Sequence, residues 1–275
     1  MLYFEFSAVA VILSAIALIA IAIRVPSHDR KWSSDQELLP SVSSYGEYVT
    51  VHNVRQARYR GVDDYDVTHS HWTFSCSDVK KVWLGIEPFS KWSIFGLRPA
   101  HVFLSFQLEN GTYIVVSPEI RKKEGDMFSP WKGLVRGYEI MYVVADEEDA
   151  VKLRTNHRKD TVRLYPLILS ADKVQELFKN MSEKINAIHA SAAFFNTALH
   201  SCTTSIVRHM RNVGIQLPQL HLLYLLPSTV DSIFYAHGLI DTKLDLQAAR
   251  DYFLVTDRAQ RCSDASDFSR CIRTT

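Results

Sequence analysis

An uncharged apolar run at the amino end sets the first limit on this chain's architecture. Phe6 to Ile23 reads FSAVAVILSAIALIAIAI, and Leu2, Tyr3 and Phe4 extend it with Glu5 the only charge between. Together they reach the ~20 residues that a helix needs to cross a bilayer. A secretory leader has a basic amino end and a shorter apolar core; here the amino end carries Glu5, and the run is too long. The sequence therefore predicts a transmembrane anchor over residues 1–24 and a polar juxtamembrane linker over 25–39, ending near Pro40. A folded domain is expected over 40–275. Arg24, Arg30 and Lys31 follow the anchor and nothing basic precedes it. Taken alone, that charge bias would keep the domain on the cytoplasmic side.

The rest of the chain has the makings of a globular core. Hydrophobic residues make up 47% and charged residues 22%, an ordinary balance for a packed domain. Lys and Arg number 31 against 30 Asp and Glu, scattered without a basic run, so nucleic acid is excluded as a partner. The four cysteines, Cys76, Cys202, Cys262 and Cys271, form no CxxC pair and no zinc spacing. Cys262 and Cys271 are close enough in sequence to bridge in an oxidising compartment, with two free thiols as the alternative. His69-Ser70-His71 offers two potential metal ligands and no third, which reads as an exposed loop. No GxSxG, HExxH, P-loop or GxGxxG occurs, so neither metal nor cofactor is expected.

Strands come mostly before helices. Gly46–Val54 alternates and predicts a strand. Ser77–Leu84 predicts a short helix capped by Ser77 or Asp78. Val102–Leu108 and Tyr113–Pro118 flank Asn110-Gly111, a hairpin signal. Gly137–Val144 and Thr161–Leu169 predict further strands. Asp146–His157 predicts a helix, acidic at its start and basic later. Ser170 caps a long amphipathic helix to Ile188, and Ser201 caps another from Cys202 to about Asn212, stopped by Gly214. Helices are also expected at Ser228–Ala236 and Leu244–Phe253. This order reads as α+β with an antiparallel sheet.

One cysteine lies where chemistry is possible. A thiol attacks only as its thiolate, which needs a basic partner and surroundings that favour negative charge. Cys202 follows a capping serine, so its sulfur falls in a helix's first turn, where unpaired N–H groups and the dipole favour an anion. A small buried apolar cysteine is the alternative. His101 opens a strand on which His101, Phe103 and Ser105 face one way. On the next strand Tyr113, Val115, Ser117 and Glu119 share a face. A three-residue loop at Glu109–Gly111 places Glu119 opposite His101, where a carboxylate would orient the imidazole; a two-residue loop shifts the register and breaks the pairing. Arg154 and Arg158 share a helix face and read as solvated.

At these residues the sequence resembles a bacterial family named for the N-terminal periplasmic domain of the lipoprotein N-acyltransferase Lnb. The resemblance is carried by Val51-His52-Asn53-Val54-Arg55, His101-Val102-Phe103-Leu104-Ser105-Phe106, Ser117-Pro118-Glu119-Ile120-Arg121, and Tyr138-Glu139 with Ala145-Asp146-Glu147. It continues through Leu153-Arg154-Thr155-Asn156, Phe195-Asn196 leading to Cys202-Thr203-Thr204, Gly238-Leu239-Ile240-Asp241 and Asp267-Phe268-Ser269. It spans roughly residues 33–273 in the expected order. It implies a thiol-hydrolase-like fold of the permuted papain or NlpC kind, with the histidine strand before the cysteine helix. It also implies a place outside the inner membrane, opposite to the charge bias. Carried over, it makes Cys202 the nucleophile, His101 the base and Glu119 the third member, with Ser201, Ser117, Arg121 and Asn196 in support. Ser201 stands where the family usually has Asn, which keeps a capping side chain. Pro118 replaces the usual Ile or Val, which removes a backbone donor.

These readings converge on acyl transfer in the bacterial envelope. Cys202 would attack a phospholipid ester, and the acyl group would pass to an amine, such as a lipoprotein's terminal cysteine, or to water. The alternatives are a cysteine peptidase or amidase acting on envelope peptides, and an envelope protein that keeps the fold only to bind.

Overall fold

The computed structural model describes residues 19, 21–88, 99–127, 129–219, 224 and 227–274. The expected transmembrane anchor falls almost wholly outside the described residues. Among the described residues no helix is long and apolar enough to cross a membrane.

An eight-stranded sheet forms the centre. Its strands are β1 (Ser41–Tyr45), β2 (Tyr48–Tyr59), β3 (Tyr65–Ser75), β4 (Val79–Pro88), β5 (Ala100–Leu108), β6 (Tyr113–Arg121), β7 (Glu139–Ala145) and β8 (Arg163–Pro166). The order is β1-β2-β7-β6-β5-β4-β8, with β3 also paired to β2. The fold class is α+β, but the sheet is mixed: β2 runs parallel to β7, with Arg55 beside Ala145. β6 and β7 pair antiparallel across the connection that carries Pro130–Leu134, whereas β2 reaches β7 from far along the chain, so sequence-adjacent hairpins gave no sign of the parallel contact.

The strand expected over Gly46–Val54 is present as the start of β2 and begins at Tyr48; Gly46, at φ +60, makes the turn back from β1, with Tyr45 paired to Tyr48. Ser77–Leu84 is not a helix. Ser75 caps a single 3-10 turn, Cys76–Asp78, and β4 follows. Val79, Val82, Trp83 and Ile86 are β-branched or aromatic and favour a pleated, buried strand. His69 to His71 lie within β3 rather than in a loop.

Helices cover both faces. Running from Ala171 to Ala190, the long amphipathic helix starts at Ser170, whose hydroxyl accepts the Lys173 N–H. Counting in chain order, α1 is Pro130–Leu134, α2 Glu147–Lys152 and α3 this long helix; α4 is Cys202–Asn212, α5 Val230–Ala236, α6 Leu246–Tyr252, α7 Thr256–Arg261 and α8 Phe268–Cys271. Val174, Leu177, Phe178, Met181, Ile185 and Ile188 of α3 recur at helical spacing and are all buried. They pack on the face that carries Leu104, Phe106, Val116 and Tyr142, together with Ile206 and Met210 of α4. Each such side chain contributes roughly 1.5–3 kcal/mol of burial. The other face carries Phe103, Val115, Met141 and Val143 and packs on α2, α7 and α8.

Two local features shape the sheet around β5. Gly85 of β4 lies beside Phe103, and a Cβ there would fall 2.2 Å from the Phe103 ring, so only glycine lets the ring lie across the strand. On the same face Ser105 donates to Glu147, which is wholly buried and forked by Arg273 at 2.6 and 2.7 Å. The Arg273 guanidinium lies over the rings of Tyr113 and Trp83. A disulfide joins Cys262 to Cys271 and staples the segment that delivers Arg273. Cys262 is buried, not exposed.

Candidate active site

The β5–β6 hairpin sets the register. Leu108 N–H donates to the Thr112 carbonyl at 2.8 Å, so the loop is the three residues Glu109–Gly111, with Gly111 at φ +86. Pairing then runs from Gln107 beside Tyr113 to Leu104 beside Val116. Pro118 has no N–H to extend that ladder and pairs instead with Tyr142 of β7. Continued to the strand ends, the register sets Glu119 opposite His101.

Between those two residues stands Ser117. Its hydroxyl donates to Glu119 Oε1 at 2.9 Å and lies 2.7 Å from His101 Nε2. A serine has one proton to give. Since that proton goes to Glu119, Nε2 must carry its own hydrogen and donate it to Ser117. Glu119 Oε1 is also 3.4 Å from Nε2 directly. This fixes the tautomer and leaves Nδ1 as the nitrogen available to a thiol.

Cys202 supplies the thiol. Ser201 caps α4 in a reciprocal box: its hydroxyl accepts the Thr204 N–H at 3.3 Å, and Thr204 Oγ1 accepts the Ser201 N–H at 2.9 Å. Cys202 is thus the first helical residue, on the positive end of the dipole. Its sulfur meets the start of β5, 3.9 Å from the Ala100 carbonyl, where the Val102 amide and the His101 imidazole both favour its anion.

The protonation balance follows from these contacts. Burial pushes the Cys202 thiol up, but His101, the Val102 amide and Thr203 together bring it below the ordinary thiol value. Burial pulls His101 down, but Cys202 and Glu119 outweigh it and raise the imidazole to about 9. Burial favours a protonated Glu119, yet His101 and Arg154 hold it well below the carboxylate range. All three directions run toward the charged forms: thiolate, imidazolium and carboxylate in sequence.

Charge continues past Glu119. Arg154 donates to Glu119 Oε1 at 3.0 Å and to Glu87 Oε2 at 2.7 Å. Glu87, 1% exposed, is the β4 neighbour of His101. Asp160, raised to about 6 by burial and by Glu87, stands at the far end. The sequence reading of Arg154 as a solvated face is overturned: it is 5% exposed, turned inward by the π-helical stretch Leu153–His157. Neither Arg154 nor Glu87 was expected in the site. The Arg154 motif was a signal for the first; nothing marked the second.

Two expected supports lie elsewhere. Arg121, at the far end of β6, donates to the Gln36 and Glu37 carbonyls and lies 4.2 Å over the Trp32 ring, so it holds residues 25–39 against the domain. Asn196 accepts the Ala198 and Leu199 amides at 2.9 Å and shapes the turn before Ser201. It organises the approach to α4 without touching the Cys202 cluster. Among the described residues, no group of His, Cys, Asp and Glu could hold a metal ion.

Residues 68–235 match the family described as the Lnb N-terminal periplasmic domain. That span is narrower than the resemblance read from sequence, yet it holds every member of the charge line from Glu87 to Cys202. No curated protein and no solved structure matches. The family's description is of a periplasmic, envelope domain, and the match covers well over half of the sequence; the chain belongs to the Lnb N-terminal periplasmic domain family.

Proposed function

We propose that this chain is a thiol acyltransferase of the bacterial envelope, with a permuted papain or NlpC-like domain held at the inner membrane by its amino-terminal apolar run. The observation that carries the reading is the hydrogen-bonded line from His101 through Ser117 and Glu119 to Arg154, which begins at the start of β5 where the Cys202 sulfur also lies, 3.9 Å from the Ala100 carbonyl. A structural cysteine needs no imidazole of fixed tautomer beside it.

The chemistry runs in two halves. Cys202 thiolate attacks the carbonyl carbon of a phospholipid ester, and the negative charge on oxygen falls at the α4 amino end. The C–O bond then breaks, and His101 gives its Nδ1 proton to the departing alkoxide, which leaves a thioester and a lysolipid. His101, now neutral, takes a proton from the acceptor, an amine such as a lipoprotein's terminal cysteine or a water. The acceptor attacks the thioester, and the thiolate–imidazolium pair is restored. Glu119 and Ser117 keep the ring oriented throughout.

The test uses full-length protein with phospholipid labelled in its acyl chains. A hydroxylamine-sensitive acyl-enzyme is expected in the native chain and in neither Cys202→Ser nor His101→Ala. A thioester adduct that persists in Cys202→Ser overturns the assignment.

A further inference from the structure

Residues that do no work in the Cys202 cluster form an apolar surface at the point where the amino-terminal run meets the domain. Met127 is 82% exposed and Trp131 of α1 78% exposed, with Leu134 beside them. Ile19, Ile23 and Val25, at the end of the apolar run, are exposed as well. The two groups are tied together: Arg136 donates to the Ala22 carbonyl at 2.9 Å, and Arg24 donates to the Val135 carbonyl at 3.0 Å. Arg24 and Arg136 therefore set positive charge beside the apolar residues, while Lys132 is paired with Asp126 at 3.3 Å. An aromatic side chain at the centre, aliphatic neighbours and adjacent positive charge are the chemistry of an interfacial segment at an anionic lipid surface.

The surface is also coupled to the nucleophile. Gly133 of α1 packs so closely on the stretch ahead of Cys202 that a Cβ would fall 2.3 Å from Thr197 Oγ1 and 3.3 Å from the Phe195 ring. Thr197 N–H donates to the Gly133 carbonyl at 3.3 Å. Leu199, exposed on the same stretch, extends the apolar character toward Ser201 and Cys202.

We propose that Met127, Trp131 and Leu134 seat in the headgroup region of the membrane that holds the chain's own amino-terminal run, and so set the Cys202 site against the lipid. This rests on the anchored, lipid-using reading above. Exposed apolar residues gathered in one patch mark interaction sites, membranes among them.

The experiment places the full-length chain in nanodiscs of phosphatidylethanolamine and phosphatidylglycerol containing a lipid brominated high on its acyl chain. Bromine is expected to quench a component of tryptophan emission that Trp131→Phe removes. Equal quenching in both proteins overturns the proposal. A second variant, M127S/W131S/L134S, alters exposed residues only. It is expected to keep the native unfolding midpoint and lose about tenfold of turnover on vesicle phospholipid, while keeping its rate with a soluble short-chain ester; equal losses on both substrates also overturn it. Anchoring is scored separately, by retention in membranes after alkaline carbonate washing. A chain that washes off sinks the anchor alone, and the same bromine comparison is then read on vesicles to which the chain is added.

Discussion

Replacing Glu119 by glutamine keeps the side chain's shape and its contact with Ser117 while removing one charge. Glu119 Oε1 lies 3.4 Å from His101 Nε2. At an effective dielectric of about 20, that separation corresponds to ~5 kcal/mol of attraction to the imidazolium. Arg154 sits 3.0 Å from the same oxygen and takes a share of its charge, and the two side chains keep 12% and 17% exposure to water. We therefore take about half, ~2.5 kcal/mol, which is about 2 pKa units. His101 would fall from about 9 back toward its ordinary range. The balance between the thiol–imidazole and thiolate–imidazolium pairs should shift toward the neutral pair by up to ~100-fold. The assay is the rate of iodoacetamide alkylation of Cys202 as a function of pH, in a Cys76→Ser background. Cys76, half-buried, has its thiol raised by burial and contributes only slow labelling. Glu119→Gln should shift the rise in rate toward the ordinary thiol range. An unchanged profile would show that Glu119 does not set the charge state of His101.

Two further outcomes follow from other buried groups. Arg154→Met removes the cation that Glu87 and Glu119 share, leaving Glu87 only Arg158 at 3.8 Å, and should destabilise the fold by roughly 3–5 kcal/mol in urea unfolding; adding Glu87→Leu should recover part of the loss. His209 is 5% exposed, bonded to Tyr142 and Asn180, and burial with Lys184 and Arg208 lowers it to about 4. The unfolded chain then binds more protons than the native one between the ordinary histidine value and about 4, so stability falls as pH falls through that window, by up to ~3 kcal/mol. In His209→Gln the urea midpoint should lose that slope.

What was legible in the sequence was whatever local chemistry decides. Ser170 and Ser201 cap their helices because a hydroxyl there satisfies a first-turn amide whatever lies beyond. Asn110-Gly111 announced the hairpin because only a small residue accepts positive φ at that point, and the loop length then put Glu119 across from His101. Ser77–Leu84 misled because the capping side chains at its start serve only one 3-10 turn, while Val79, Val82 and Trp83 already favour the strand that β5 and β8 complete on either side. Arg154 misled because its spacing fits a solvated helix face, and only the π-helical turn and the approach of β4 carry it inward. Arg121 and Asn196 lie in the right stretches but serve the frame. Nothing local separates an arginine that binds backbone carbonyls from one that balances a buried carboxylate.

The fork between Arg273 and Glu147 bears on when the site can be completed. Glu147 supports Ser105, on the same strand as His101, yet its counter-ion lies 126 residues further along the chain. Until that arginine arrives, the sheet would have to enclose an uncompensated carboxylate beneath the strand of the base, which favours an open or water-filled state there. The disulfide that positions Arg273 forms only under oxidising conditions. A polypeptide still being delivered, or still in a reducing compartment, would thus hold its thiol near an unfinished scaffold, and the reactive pair would mature only after export.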